Sequence, residues 1–385
     1  MIVGADPLLA WRSEFPILSK CTYLISNSLG AMPAKARTRL DQYADDWSGD
    51  GVEAWDDWLT LVNQAGDLIA PLIGAPTGSV MMQPNVTIAE SILISCLDFT
   101  GRRNKVVYSD LEFPTIHYAW QAQATNGATF GVVKSRDGVS VDTQALLDAI
   151  DEQTLVVPIS HVIFRSSAIQ DVKPIIEKAH AVGAYVFLDV YQSIGVLPID
   201  VQALRPDAVV GGALKWLCGG PGAAFLHVRP DLYERLVPSN VGWFSHETPF
   251  AFDIGPMRFA PGPWRYAGGT PNPAALYAAL SGLEIINEIG VAAIRERSME
   301  HTAFAVQQAD EAGLALNSPR GPAARGGHVS VDFPDAERAC RHLIERGFMV
   351  DYRPKAGIRI APHFYNTRDE IAAVFDEMRK FRDGS

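Results

Sequence analysis

From Leu188 to Val228 the chain reads LDVYQSIGVLPIDVQALRPDAVVGGALKWLCGGPGAAFLHV. An apolar run, Ala184 to Leu188, ends on Asp189, and twenty-six residues later Lys215 stands between Leu214 and Trp216. Gly219, Gly220, Pro221 and Gly222 follow, then a second apolar run from Ala223 to Val228. A short, bounded, β-rich run reads as a buried parallel strand. Its tip then carries a carboxylate, and ligands of open α/β sheets lie beyond such tips.

The neighbours of Lys215 are apolar, and a lone ammonium is costly to bury unless it is paired or neutral. Desolvation lowers a lysine's pKa and frees the amine for a Schiff base. An upstream carboxylate suits the ring nitrogen of pyridoxal phosphate, since a protonated ring is the stronger electron sink. Taken alone, the two residues favour the plainer reading of a snorkelling lysine and a capping aspartate.

The wider pattern is more specific. DVYQSIGVLPIDV followed by GGALKWLCGGPGAAFLHV resembles the class V aminotransferase superfamily of pyridoxal-phosphate enzymes, kynureninase most closely. The resemblance extends from Tyr23 to Phe381 and implies an α/β fold: a transferase-like large domain with a mostly parallel sheet, and a small C-terminal α+β domain. The expected division is residues 1–40 as a segment associated with the small domain, 41–285 as the cofactor-binding domain and 286–385 as the small domain.

Composition agrees with such a chain. Its 385 residues are 48% hydrophobic, ample for a large core. Net charge is −11 without a basic block, which argues against nucleic acid. No run of about 18 apolar residues predicts a membrane span, and the N-terminus lacks a signal-peptide pattern. Cys21, Cys96, Cys218 and Cys340 are scattered. They read as buried thiols of a cytoplasmic protein, with neither a metal site nor a disulfide framework.

Tyr23 to Gly30, YLISNSLG, is similar to the NSLG segment of kynureninases, which implies that Ser28 borders the substrate. A helical region spans Lys35 to Ile73, interrupted at Gly49-Asp50-Gly51. Its apolar positions, Trp47, Trp55 and Trp58 among them, read as core or subunit contact. After a strand at Val80–Gln83, Asn85, Val86 and Thr87 open a helix, whose free N–H groups suit a phosphate as well as a simple cap. The resemblance assigns them to the cofactor's phosphate cup. Phe113, in a kynureninase-like FPT, is the residue that the family stacks on the ring. His161, after a strand ending at Ser160, is left without a role.

Farther on, Gly242-Trp243-Phe244-Ser245-His246 is similar to a GWFGH-like segment, and RYAGGTPNPAAL places Thr270 as the N-cap of a helix. The resemblance implies a homodimer with shared active sites, in which Trp243 and Thr270 reach the partner's cofactor. The region from Gly326 to Lys380 reads β-α-β-β-α. Within it Arg359 alternates with Ile358 and Ile360, which suits a solvated strand position. The resemblance makes it the clamp for the α-carboxylate of an amino-acid substrate.

Four positions depart from the kynureninase pattern. Leu214 replaces a tyrosine before the lysine, Gln192 a histidine after Asp189, Ile116 an aspartate after FPT, and Ile163 stands where asparagine is usual. Gln192, at the same strand tip as Asp189, is expected near the ring's phenolic oxygen. These changes leave three classes: side-chain cleavage of an amino acid (β-elimination or C–C hydrolysis), amino transfer or epimerisation, and a cofactor-dead binding protein. Retention of Asp189, Lys215 and Arg359 disfavours the last. A desulfurase is disfavoured because Cys340 lies in an amphipathic helix pattern rather than on a loop.

Overall fold

A computed structural model describes residues 6–384. The apolar runs become the strands β1 (Thr22–Tyr23), β2 (Val80–Gln83), β3 (Lys105–Ser109), β4 (Thr129–Val133), β5 (Thr154–Ser160), β6 (Tyr185–Asp189), β7 (Ala208–Gly212) and β8 (Ala224–Val228). In the C-terminal region follow β9 (Ala315–Leu316), β10 (Val329–Asp332), β11 (Phe348–Met349), β12 (Asp351–Arg353) and β13 (Gly357–Ile360).

Seven strands form one sheet in the order β2-β8-β7-β6-β5-β3-β4. Every pairing from β7 to β4 is parallel, and β8 alone runs antiparallel to its two neighbours. Its central strands are apolar throughout because both faces are covered. One face packs under the helices Trp55–Ile73, Val172–Val182 and Pro273–Ile289, through residues such as Ile69, Ile175 and Leu280. Val86–Ile94 and Pro114–Gln121 cover the other, through Leu93 and Trp120. Each fully buried Val, Leu or Ile contributes about 1.5–3 kcal/mol, so a charge placed at Leu188 would break the central strand.

Two long helices, Pro273–Ile289 and Val291–Glu311, meet at 84°. The turn is made at Gly290, whose φ of 82° is one that glycine adopts without strain. No single helix is long and apolar enough to cross a membrane among the described residues. The second sheet has the order β12-β13-β10-β9, antiparallel throughout. Its core joins Val329, Ile358 and Ile360 to Leu343, Val374 and Phe375 of the helices Ala336–Glu345 and Arg368–Asp383.

The second strand of the β-α-β-β-α region, residues 348–353, divides: β11 pairs in parallel with β1, whereas β12 joins the second sheet. Arg12, near the N-terminus, pairs with Glu370 at 2.9 Å. One local expectation is corrected. Thr270 does not cap the helix beginning at Pro273; Asn272 does, its side chain accepting the Ala275 N–H. Proline at the first helical position moves the cap to the residue immediately before it. Trp47, read as core or subunit contact, is 60% exposed in the single chain.

Candidate active site

The parallel strands β5 and β6 end at Ser160 and Asp189, and β7 ends at Gly212 just before the Lys215 turn. Asp189 is buried, and its Oδ1 accepts the Tyr191 N–H at 2.7 Å. Burial raises its carboxyl above the ordinary range, partly opposed by that hydrogen bond and by the charge of Lys215.

Lys215 is 9% exposed. Its Nζ lies 4.2 Å from the Tyr191 ring centre and 5.7 Å from that of Phe113, with no hydrogen-bonded acceptor among the described residues. Burial pulls the amine down to about 8, and the nearby Arg359 and Arg353 push the same way. Asp189 opposes this without forming a close ion pair, so desolvation outweighs their attraction. The turn is held from below by the Asn27–Gly30 segment, where the Gly30 N–H donates to the Leu214 carbonyl at 2.9 Å. A Cβ on Gly30 would lie 2.1 Å from the Lys215 carbonyl oxygen, so only glycine fits.

Gln192 has both ends of its amide engaged. It donates to the Asn27 carbonyl at 3.0 Å and accepts from the Trp216 indole at 3.2 Å. Phe113 is 43% exposed and meets Phe164 edge to face at 5.1 Å. Asn85 caps the helix Val86–Ile94 by accepting the Ile88 N–H at 2.9 Å. The N–H groups of Val86 and Thr87 have no partner within the helix, as at any helix start. Ser28 lies half-buried on the segment beneath Lys215.

Arg359, which the strand pattern left open to solvent, is buried and paired with Asp351. Among the described residues, neither the Trp243 ring nor the Thr270 hydroxyl engages Lys215, whose amine meets the rings of Tyr191 and Phe113. Trp243 belongs to an aromatic cluster with Trp55, Phe244, Phe250 and Phe252. Thr270 lines a cavity of about 270 Å³ together with Gln83, Pro84 and Asn240.

Several site residues were not anticipated. Tyr191 lies within the quoted motif, two residues after Asp189, and Gly212 leaves room for its ring: a Cβ there would meet it at 2.7 Å. Asn27, fully buried, has neither side-chain amide atom hydrogen-bonded. His161 Nδ1 is likewise unpartnered, and burial lowers its imidazole to about 4, so the ring is neutral. Glu112 ties the turn before Phe113 to the tip of β5, accepting from Ser160 N–H at 2.9 Å and Ser109 Oγ at 3.0 Å.

An unpartnered lysine amine, a buried carboxylate with Oδ2 unengaged, flanking aromatic rings and a helix N-terminus nearby fit a flat, phosphate-bearing aldehyde with a basic ring nitrogen. Pyridoxal phosphate has those features. Asn27 and His161 supply further orphaned polar atoms in the same strand-end region, an arrangement that suits a polar ligand.

The family model "Aminotransferase class-V" matches residues 22–374. The chain is 34% identical over 368 residues to the uncharacterized aminotransferase YcbU of Bacillus subtilis (strain 168), covering 96% of both chains. It is 30% identical over 393 residues to the kynureninase of Geobacillus thermodenitrificans (strain NG80-2), covering 97% of this chain and 91% of that one. Among solved structures, the cystine C-S lyase C-DES with its product cysteine persulfide is similar in fold, with TM-score 0.86 and 20% identity over 95% of this chain and 99% of that one. A mutant of C-DES with glycine covalently linked to its PLP cofactor gives a TM-score of 0.87 at 20% identity, over 96% and 98%.

Proposed function

The chain belongs to the class V aminotransferase family and its cofactor is pyridoxal phosphate, and on that premise we propose that it cleaves the side chain of an amino acid, with β-elimination ahead of C–C hydrolysis. The bound cofactor supplies an electron sink for negative charge developing at the α-carbon. In this reading Lys215 holds the cofactor and moves the α-proton, and its amine, lowered to about 8, is suited to both tasks near neutrality. Asp189 holds the proton on the ring nitrogen. Arg359 orients the α-carboxylate, and Ser28 borders the substrate.

Phe113 covers the ring, Gln192 stands on the same side as Asp189, and Asn85, Val86 and Thr87 receive the phosphate. Trp243 and Thr270 do not contact Lys215 of their own chain, which supports a homodimer in which each serves the partner's site. Phe252, stacked on Trp243 and 71% exposed, supports a covered surface there. The proposed division is 1–40, 41–285 and 286–385, with the β1–β11 pairing supporting the tie of the first segment to the last. All four cysteines are free thiols, in keeping with a cytoplasmic setting.

One observation favours elimination. Ile116 and Ile163 are each 1% exposed and packed in apolar clusters, and Leu214 has no polar side-chain atom. None of the three can deliver a proton or orient water to a ketone, which hydrolytic cleavage requires. Loss of a good leaving group from the β-carbon requires little beyond Lys215. Transamination is the second reading, supported by the naming of the Bacillus subtilis relative and by its need for a single lysine beside the α-carbon.

A panel of amino acids offered to the holoenzyme, with pyruvate, alanine and keto-acid products assayed together, separates these. Pyruvate with a released side-chain fragment is expected. Efficient release of alanine and an aryl acid from an aryl-ketone amino acid would reverse the order, and amino transfer without a fragment would overturn both.

A further inference from the structure

Arg359 and Asp351 stand directly opposite one another on the antiparallel strands β13 and β12. Their side chains therefore leave the sheet on the same face. The guanidinium lies side-on against the carboxylate, Nε to Oδ1 at 2.8 Å and Nη2 to Oδ2 at 2.5 Å. Its Nη1 donates to the carbonyl of Phe164 at 2.8 Å, in the loop that follows β5. Three of the five N–H donors of an arginine are thereby engaged. The remaining two, one on each terminal nitrogen, have no acceptor among the described residues, and the one on Nη2 points away from the side-on edge that Asp351 occupies.

The arginine side chain is 3% exposed, so this orientation is held by its partners rather than by solvent. Oδ2 of Asp351 also pairs with Arg353 at 2.9 Å. Two guanidiniums and one carboxylate leave a single net positive charge, which one carboxylate balances.

We infer that Asp351 is a positioning residue: it locks the plane of Arg359 so that the open end of the guanidinium faces the α-carboxylate of an amino acid. The inference rests on the reading of this site as an amino-acid site. A residue that only neutralised charge would act in the opposite sense, because its loss would leave two uncompensated cations and tighten carboxylate binding. A residue needed only for folding would affect ligands with and without a carboxylate alike.

The test uses the wild-type holoenzyme and Asp351→Asn, titrated with L-alanine and with ethylamine while the absorbance of the bound cofactor is followed. Asp351→Asn is expected to bind L-alanine about tenfold or more weakly, because a charge-assisted bidentate pair is lost. Ethylamine affinity and cofactor content should stay as in the wild type. L-Alanine binding that is unchanged or tighter, or an equal loss for both ligands, overturns the inference. Should Asp351→Asn fail to fold, Asp351→Glu decides, since it keeps the carboxylate but shifts it by one methylene. A loss confined to L-alanine supports the inference, and equal or absent effects overturn it. A wild-type enzyme whose cofactor responds to neither ligand overturns the underlying reading, and the inference with it.

Discussion

Lys215 Nζ stands over the face of the Tyr191 ring, 4.2 Å from its centre. An aromatic face stabilises a cation by about 0.5–2 kcal/mol, which offsets only part of the cost of burying an ammonium. The amine accordingly falls to about 8. Only the neutral amine attacks an aldehyde, so capture of pyridoxal phosphate by the apo-protein should accelerate about tenfold per pH unit from 6 towards 8 and level off above it. Stopped-flow absorbance at a series of pH values checks this. A rate still rising steeply through pH 10 would mean that the lysine is not desolvated.

Asp189 presents a buried carboxyl with one oxygen held by the Tyr191 N–H. Asp189→Asn preserves that hydrogen bond and the shape of the site but removes the charge proposed to hold a proton on the ring nitrogen. The variant should still bind cofactor and turn over orders of magnitude more slowly. Turnover equal to wild type would remove Asp189 from the chemistry.

Glu90 is fully buried on the helix Val86–Ile94, where its carboxyl lies beside the Trp120 indole without a well-formed hydrogen bond. Burial, with Asp189 nearby adding to it, raises its carboxyl from 4.5 to about 8. Between those values the folded chain holds a proton that the unfolded chain has released, so stability falls as pH rises through this window, by about 1.4 kcal/mol per unit. Glu90→Gln mimics the protonated acid. It should match the wild type at pH 4 and exceed it by a few kcal/mol at pH 8, measured by urea unfolding. A constant difference across that range would refute the assignment.

The dimer proposal is checked by light scattering and by complementation. Lys215→Ala and Thr270→Ala proteins, each weakly active alone, should regain activity when mixed through subunit exchange, because one hybrid site keeps both residues. An active monomer at assay concentration would rule out shared sites.

Asp189 and Lys215 are legible in the sequence because each is a lone charge in an apolar run, where burial makes a charge informative. The sheet is legible for the same reason, its strands being apolar on both faces. Asp351 is not, since its pairing with Arg359 depends on the register of two strands joined by a turn, and a charge near an arginine in sequence is commonplace. Glu90 is hidden by its helix, where a single acid amid Ala89, Ile92 and Leu93 reads as a solvent-facing position. The sequence offers two helix starts, one at each of Pro271 and Pro273, and only the fold shows that Asn272 rather than Thr270 is the cap. Tyr191 and Asn27 lie inside quoted motifs, yet only the fold shows which aromatic ring meets the lysine and which amide is buried without a partner.

The central claim, that Lys215 is the residue to which the cofactor is joined, is tested most directly by borohydride reduction of the yellow holoenzyme followed by peptide mass mapping. A pyridoxyl group is expected on the peptide containing Lys215, and none after reduction of Lys215→Ala. A reduced adduct at any other lysine, or an undiminished adduct in Lys215→Ala, would contradict it.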